Sequence, residues 1–149
     1  MSSSKINPLT KEEMQNWPSS PLVNLEKPFV DVRGSIQPLV DLMMRSAVMI
    51  ESKAGSLRAN HYHKTDWHYM YMFEGESDYY YRPAESDEEP KKIVWKKNQL
   101  IFTPPMEEHT TVFTQESLFI AISRNPRDQE AYEADVKRVE LIDPESVKL

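Results

Sequence analysis

The chain is 149 residues long and 39% hydrophobic, enough apolar content to close one core and too little chain for two. Eighteen Lys and Arg against 24 Asp and Glu give a net charge of −6, which argues against a nucleic-acid face, and the lack of any Cys excludes disulfides, thiolate nucleophiles, Cys-ligated zinc and iron–sulfur clusters. No apolar leader follows Met1 and no apolar run approaches bilayer-spanning length, so a soluble cytoplasmic protein without a membrane partner is expected.

Residues 1–28 are polar and marked by Pro8, Pro18, Pro21 and Pro28, which reads as an N-terminal arm ahead of a single domain over 29–149. Within the arm, Thr10-Lys11-Glu12-Glu13 has the spacing of a capping box and predicts a helix of one or two turns. From Asp31 the helical period gives way to short β-branched or aromatic runs between turn residues. These predict strands over 35–40, 46–52, 56–63, 67–74, 77–82, 92–97, 100–103, 110–114 and 118–123. The acidic stretch Ala84 to Pro90 reads as an exposed hairpin loop. The charged, Ala- and Glu-rich segment from Asp128 to Arg138 predicts a short helix, with a last strand near Val139–Ile142. Many short strands at close spacing make the fold an all-β sandwich or barrel.

The run Trp67–Glu74 is apolar on both faces: alternation puts His68, Met70 and Met72 on one side and Trp67, Tyr69, Tyr71 and Phe73 on the other. A sheet wet on one side has no need of four aromatics there. The second face is therefore expected to be covered by a partner subunit, or by the arm of one, in a homodimer.

Three of the four histidines, His61, His63 and His68, fall within eight residues, with His109 far along the chain. His61 and His63, at i and i+2 on a strand, project from the same face about 7 Å apart. The turn Lys64-Thr65-Asp66-Trp67 brings His68 back beside them, and Asp66 reads as a surface residue of that turn. Imidazole sets of this kind suit one divalent transition metal (Fe, Mn, Ni or Zn) with a position open to water or substrate.

The stretch Gly55-x5-His61-x-His63-x4-His68-x6-Gly75 resembles the first cupin motif, with His68 where that family usually carries Glu. Asn98-x5-Pro104-x-Met106-x2-His109-x3-Phe113 resembles the second, keeping Pro104 and His109 at the family's interval. The resemblance implies a cupin double-stranded β-helix, or jelly-roll, barrel with a short N-terminal arm and a short C-terminal helix. It implies that His61, His63, His68 and His109 project into the barrel mouth as metal ligands. On this reading the protein is a metal-dependent enzyme, of dioxygenase, lyase or isomerase type, acting on a small polar carbonyl, carboxylate or sugar substrate.

Asp31-x-Arg33-Gly34 followed by Arg58-x-x-His61-x-His63-Lys64 is similar to a second pattern, that of the nucleotide-sugar cupins, the 3,5-epimerases and 3,4-ketoisomerases of carbohydrate metabolism. Those enzymes use no metal; a His acts as general base beside a ketone, and a Tyr or second His supplies the acid. The resemblance implies His61 or His63 as catalytic base, with Arg33 or Arg58 holding a diphosphate through guanidinium forks. Lys64 and Tyr71 complete the expected substrate-binding set. A non-catalytic cupin that binds a small ligand is the third reading.

Overall fold

The structure is a computed structural model that describes residues 5–147. The arm carries α1 (Lys11–Gln15), opened by the expected capping box: Thr10 accepts from the Glu13 backbone, and Glu13 accepts from the Thr10 backbone. A small hairpin follows, β1 (Phe29–Asp31) and β2 (Gly34–Ile36). It replaces the single strand expected over 35–40, because Gly34, at φ 136°, supplies a turn that Asp31 closes by accepting from the Arg33 backbone.

Eight further strands correspond to the expected runs: β3 (Ser46–Ser52), β4 (Leu57–His63), β5 (His68–Glu74), β6 (Glu76–Pro83), β7 (Lys91–Lys96), β8 (Leu100–Thr103), β9 (Glu107–Phe113) and β10 (Ser117–Ser123). After α2 (Gln129–Asp135), the segment Val136–Arg138 forms β11 where helix was expected, and no strand forms at 139–142. The edge of β4 decides this: it offers unpaired backbone groups that Val136–Arg138 pairs with, and Val136 becomes buried.

The strands form two antiparallel sheets, ordered β3-β10-β5-β8 and β11-β4-β9-β6-β7. Between them lies an apolar core of Met70, Met72, Tyr79, Trp95, Phe113 and Phe119 with their neighbours. Gly75 joins β5 to β6 at φ 101°, and a Cβ there would sit 2.5 Å from the Glu116 carbonyl oxygen, so no other residue fits this turn.

The outer aromatic face of β5 is covered, but by the chain itself. Leu9, Trp17, Val23 and Leu25 of the arm, with Val40 and Met44, pack on Trp67, Tyr69, Leu100 and Phe102. This corrects the expectation that a partner's surface covers that face. The arm is held by ion pairing as well as by apolar area: Glu13 accepts from Trp67 Nε1 at 2.7 Å and from Arg124 Nε at 2.7 Å. No helix among the described residues is long and apolar enough to cross a membrane.

Candidate active site

A β-bulge in β4 sets the site. Arg58 pairs Thr111 and Ala59 pairs Thr110, but His61 pairs His109, so one extra residue is inserted between Ala59 and His61. In an unbroken ladder Asn60 would face His109 and both odd-numbered histidines would turn outward. The bulge flips the phase, so Arg58 from one half of the strand and His61 and His63 from the other all line one cavity. Ala59 and Asn60 take φ values of 75° and 57°, a conformation unfavourable for side chains with a Cβ. The Asn60 side chain holds the bulge: Nδ2 donates to the Ile142 carbonyl at 2.9 Å, and Oδ1 accepts from Ile142 N at 3.1 Å.

The four imidazoles converge as expected. Ring centroids are 4.8 Å apart for His61 and His63, 4.7 Å for His61 and His109, 5.7 Å for His63 and His68 and 5.5 Å for His68 and His109. They wall a cavity of about 150 Å³ whose other side is apolar, from Ile50, Met70, Phe119 and Ala121. Burial, reinforced by the neighbouring imidazoles, pushes His61 and His68 far below the ordinary histidine value and His109 down to about 3. These three rings are neutral at physiological pH.

His63 differs from its neighbours in having a carboxylate. Its Nδ1 lies 3.0 Å from Asp135 Oδ2, both side chains being almost fully buried. Asp135 is fixed in turn by the Thr65 backbone at 2.7 Å, the Thr65 hydroxyl and the Asp66 backbone at 3.2 Å. Burial would raise the Asp135 carboxyl, but the hydrogen bonds from His63 and Thr65 outweigh it and hold the group below the ordinary aspartate value. With Nδ1 engaged as a donor to this carboxylate, His63 Nε2 is the basic nitrogen left for a ligand in the cavity.

The same short helix brings Tyr132, whose ring lies 6.2 Å from His61 and 5.9 Å from His63, and the residue before its cap contributes Arg127, 5.4 Å from the Tyr132 ring centroid. Burial raises the Tyr132 phenol, while Arg127 and Arg138 pull it back. Asp135 and Tyr132 lack any motif signal in the sequence; with Arg127 they arrive through packing of α2 over the turn after β4.

The other expected residues fall differently. Arg58 lines the cavity, donating from Nε to Ser52 Oγ at 2.7 Å and from Nη2 to the Glu51 carbonyl at 2.8 Å. Arg33 sits on the β1–β2 hairpin, 82% exposed and paired with Asp31. Lys64 is exposed in the turn, and Tyr71 lies on the arm-covered face with its hydroxyl donating to Asn98 Oδ1 at 3.2 Å. Asp66, expected at the surface, is only 7% exposed, because α2 closes over its turn; it accepts from the Asn125 backbone at 2.8 Å. Burial pushes its carboxyl up to about 6.

No family model matches the chain, and no curated protein is similar to it in sequence. Solved structures do match. A mutant of the 3,4-ketoisomerase QdtA from Thermoanaerobacterium thermosaccharolyticum, in complex with TDP-4-keto-6-deoxyglucose, superposes with a TM-score of 0.62 at 14% identity, over 78% of this chain and 85% of that one. The TDP-quinovose 3,4-ketoisomerase WlaRB from Campylobacter jejuni gives 0.64 at 17% identity over 76% and 90%. The dTDP-4-dehydrorhamnose 3,5-epimerase from Sulfolobus tokodaii gives 0.64 at 15% identity over 83% and 85%.

The chain has the cupin fold. These three structures are nucleotide-sugar 3,4-ketoisomerases and a 3,5-epimerase, the group whose resemblance implies chemistry without metal, and this overturns the expected Fe, Mn, Ni or Zn ion. Ring nitrogens of His61, His63 and His109 lie within 4.8 Å of one another, as do those of His63 and His68 with an Asp66 carboxylate oxygen, while Asp135 is committed to His63 Nδ1.

Proposed function

We propose that this cupin is an enzyme that isomerises or epimerises a nucleotide-linked 4-keto sugar without metal, with His63 as general base. The observation that carries the reading is the His63–Asp135 pair, 3.0 Å apart and buried at the wall of a cavity sized for one sugar ring. His63 Nε2 takes the proton from the carbon beside the ketone, and Asp135 stabilises the imidazolium that forms. The electrons of the broken C–H bond pass to the ketone oxygen. The Tyr132 phenol and the neutral His61 ring are the donors close enough to His63 to give that oxygen a hydrogen bond or a proton. Protonation of C4, with the C3 hydroxyl giving up its proton as the C4 oxygen keeps the one it received, moves the ketone from C4 to C3, and protonation of the original carbon by a second donor on the opposite face inverts it. Ile50, Met70, Phe119 and Ala121 form an apolar wall suited to the methyl group of a 6-deoxy sugar.

His61 belongs to the same proposal as a neutral donor, with Arg58 at the mouth. We assign no substrate contact to Arg33, Lys64 or Tyr71 of the same chain. For the homodimer, the contact we propose is the β1–β2 hairpin, whose Phe29, Val30, Val32 and Ile36 are 60%, 67%, 105% and 66% exposed, since a two-stranded hairpin with this much apolar surface is marginal alone.

The test is product analysis by NMR of TDP-4-keto-6-deoxyglucose incubated with chelator-treated protein. A 3-keto or C3/C5-inverted product formed by the wild type and lost in Asp135→Asn supports the reading. Unchanged substrate, with the barrel folded, refutes it.

A further inference from the structure

We propose that Asn125 is a positioning residue for the base: its side-chain amide fixes the direction of the Thr65 hydroxyl, and through that hydroxyl it holds Asp135 on His63 Nδ1. The inference rests on the reading of His63 as general base and adds to it two residues, Asn125 and Thr65, that neither motif marks.

Asn125 is buried and every polar group it carries is engaged. Its N–H donates to Asp66 Oδ1 at 2.8 Å and its carbonyl accepts from Ser46 Oγ at 3.1 Å. In the side chain, Oδ1 accepts from Arg124 Nη1 at 3.0 Å and Nδ2 donates to Thr65 Oγ1 at 3.0 Å. A guanidinium has donors only, so the amide atom that faces it is the oxygen, and the nitrogen is left to face Thr65. Arg124 is itself held by Glu13, which takes Nε at 2.7 Å, and by the backbone carbonyls of Asn7 and Pro8.

A hydroxyl has one proton to give. With the Asn125 amide donating to Thr65 Oγ1, that proton is directed to Asp135 Oδ1, which also accepts from Thr65 N at 2.7 Å. Asp135 Oδ1 is thereby occupied, and Oδ2 is the oxygen left for Asp66 N at 3.2 Å and His63 Nδ1 at 3.0 Å. The bonds run unbroken from Glu13 in the arm through Arg124, Asn125, Thr65 and Asp135 to His63, and each link sets the donor direction of the next. An Asp at position 125 reverses the chain without changing its shape. Its carboxylate has no proton to give Thr65, so the hydroxyl turns away from Asp135 and leaves two lone pairs facing each other beside the base. In a buried network such a reversed link costs more than a missing one, since both acceptors stay out of water.

The experiment is NMR of the His63 ring in the full chain, beside steady-state kinetics on TDP-4-keto-6-deoxyglucose, for the wild type, Asn125→Asp, Asn125→Ala, Thr65→Val and Thr65→Ser. The Nδ1 proton held by buried Asp135 gives a downfield resonance, identified by its loss in His63→Ala. Asn125→Asp and Thr65→Val are expected to shift or abolish that resonance and to lower kcat about 10- to 100-fold, the scale of one lost buried hydrogen bond, with TDP affinity within a few-fold of wild type. Thr65→Ser keeps the hydroxyl and is expected to restore both. A resonance absent from the wild type, or unchanged in Asn125→Asp, overturns the inference, and so does one that moves while kcat stays at the wild-type value. If the wild type leaves the sugar unchanged while the resonance responds as expected, the chain of bonds stands and the nucleotide-sugar reading falls. Asn125→Ala, which removes the amide and adds no acceptor, decides the matter in the same terms should Asn125→Asp unfold.

Discussion

His63 and Asp135 form the only buried imidazole–carboxylate bond among the described residues, so the account places the chemistry on them. Asp135→Asn is expected to lower kcat about 10²- to 10⁴-fold while TDP affinity stays within a few-fold, because it removes the partner of the imidazolium and not a substrate contact. Steady-state kinetics beside calorimetry separate the two effects. Stability should depend on pH from both sides. His109, at about 3 against an ordinary 6.5, takes up protons more readily once unfolded, so stability is lost as pH falls below about 6.5. Glu107 acts oppositely: burial raises its carboxyl to about 7 from 4.5, the folded state holds the proton better, and stability declines as pH rises through that window. Glu107→Gln is expected to remove the second decline, read as the difference in urea midpoint from wild type growing between pH 5 and 8. At this scale the histidines were legible because i, i+2 spacing on a strand needs no tertiary knowledge. Asp135 and Tyr132 were not, since roughly 70 residues separate Asp135 from the His63–Asp66 turn it packs on. Asp66 misled for the same reason: a turn looks exposed until the helix that covers it is in place.

Among the elements, the bulge in β4 and the arm carry the consequences. Asn60→Val removes the side-chain bonds to Ile142 and disfavours the φ of 57°, which favours the unbroken ladder in which position 60 faces His109 and His61 and His63 turn out of the cavity. The variant is expected to lose turnover and TDP-sugar binding together while keeping a β-type circular dichroism spectrum; retained turnover would show that the bulge does not set the site. The strand itself was legible from its residues, but the bulge was not, because its phase change depends on pairing with β9. The arm makes a separate prediction. Removing Glu13 leaves Arg124, only 9% exposed, without its carboxylate and Trp67 Nε1 without its acceptor. Glu13→Ala should cost about 2 kcal/mol, below the figure for a fully buried pair because Glu13 keeps some solvent, measured by urea unfolding. The aromatic face of β5 was readable as a face that must be covered; that the chain's own arm covers it depends on the Glu13–Arg124 tie, which joins residues 111 apart.

For the whole molecule, two antiparallel sheets close over an apolar core beside the histidine-lined cavity, and the strand pattern alone pointed to that barrel. What the pattern did not resolve was the chemistry, since the same histidine spacing serves a metal and a base, and a carboxylate behind the imidazole supports either. At this scale Val32→Glu on the exposed hairpin is expected to convert a dimer to a monomer in sedimentation without lowering Tm by more than a few degrees. The central claim is that a metal-free His63 moves a proton beside a ketone, and its most direct measurement is NMR of TDP-4-keto-6-deoxyglucose incubated in D₂O with chelator-treated protein. The account predicts deuterium entering at a carbon next to the ketone with the wild type and none with His63→Ala. No exchange with the wild type, or exchange only after a divalent ion is restored, would contradict it.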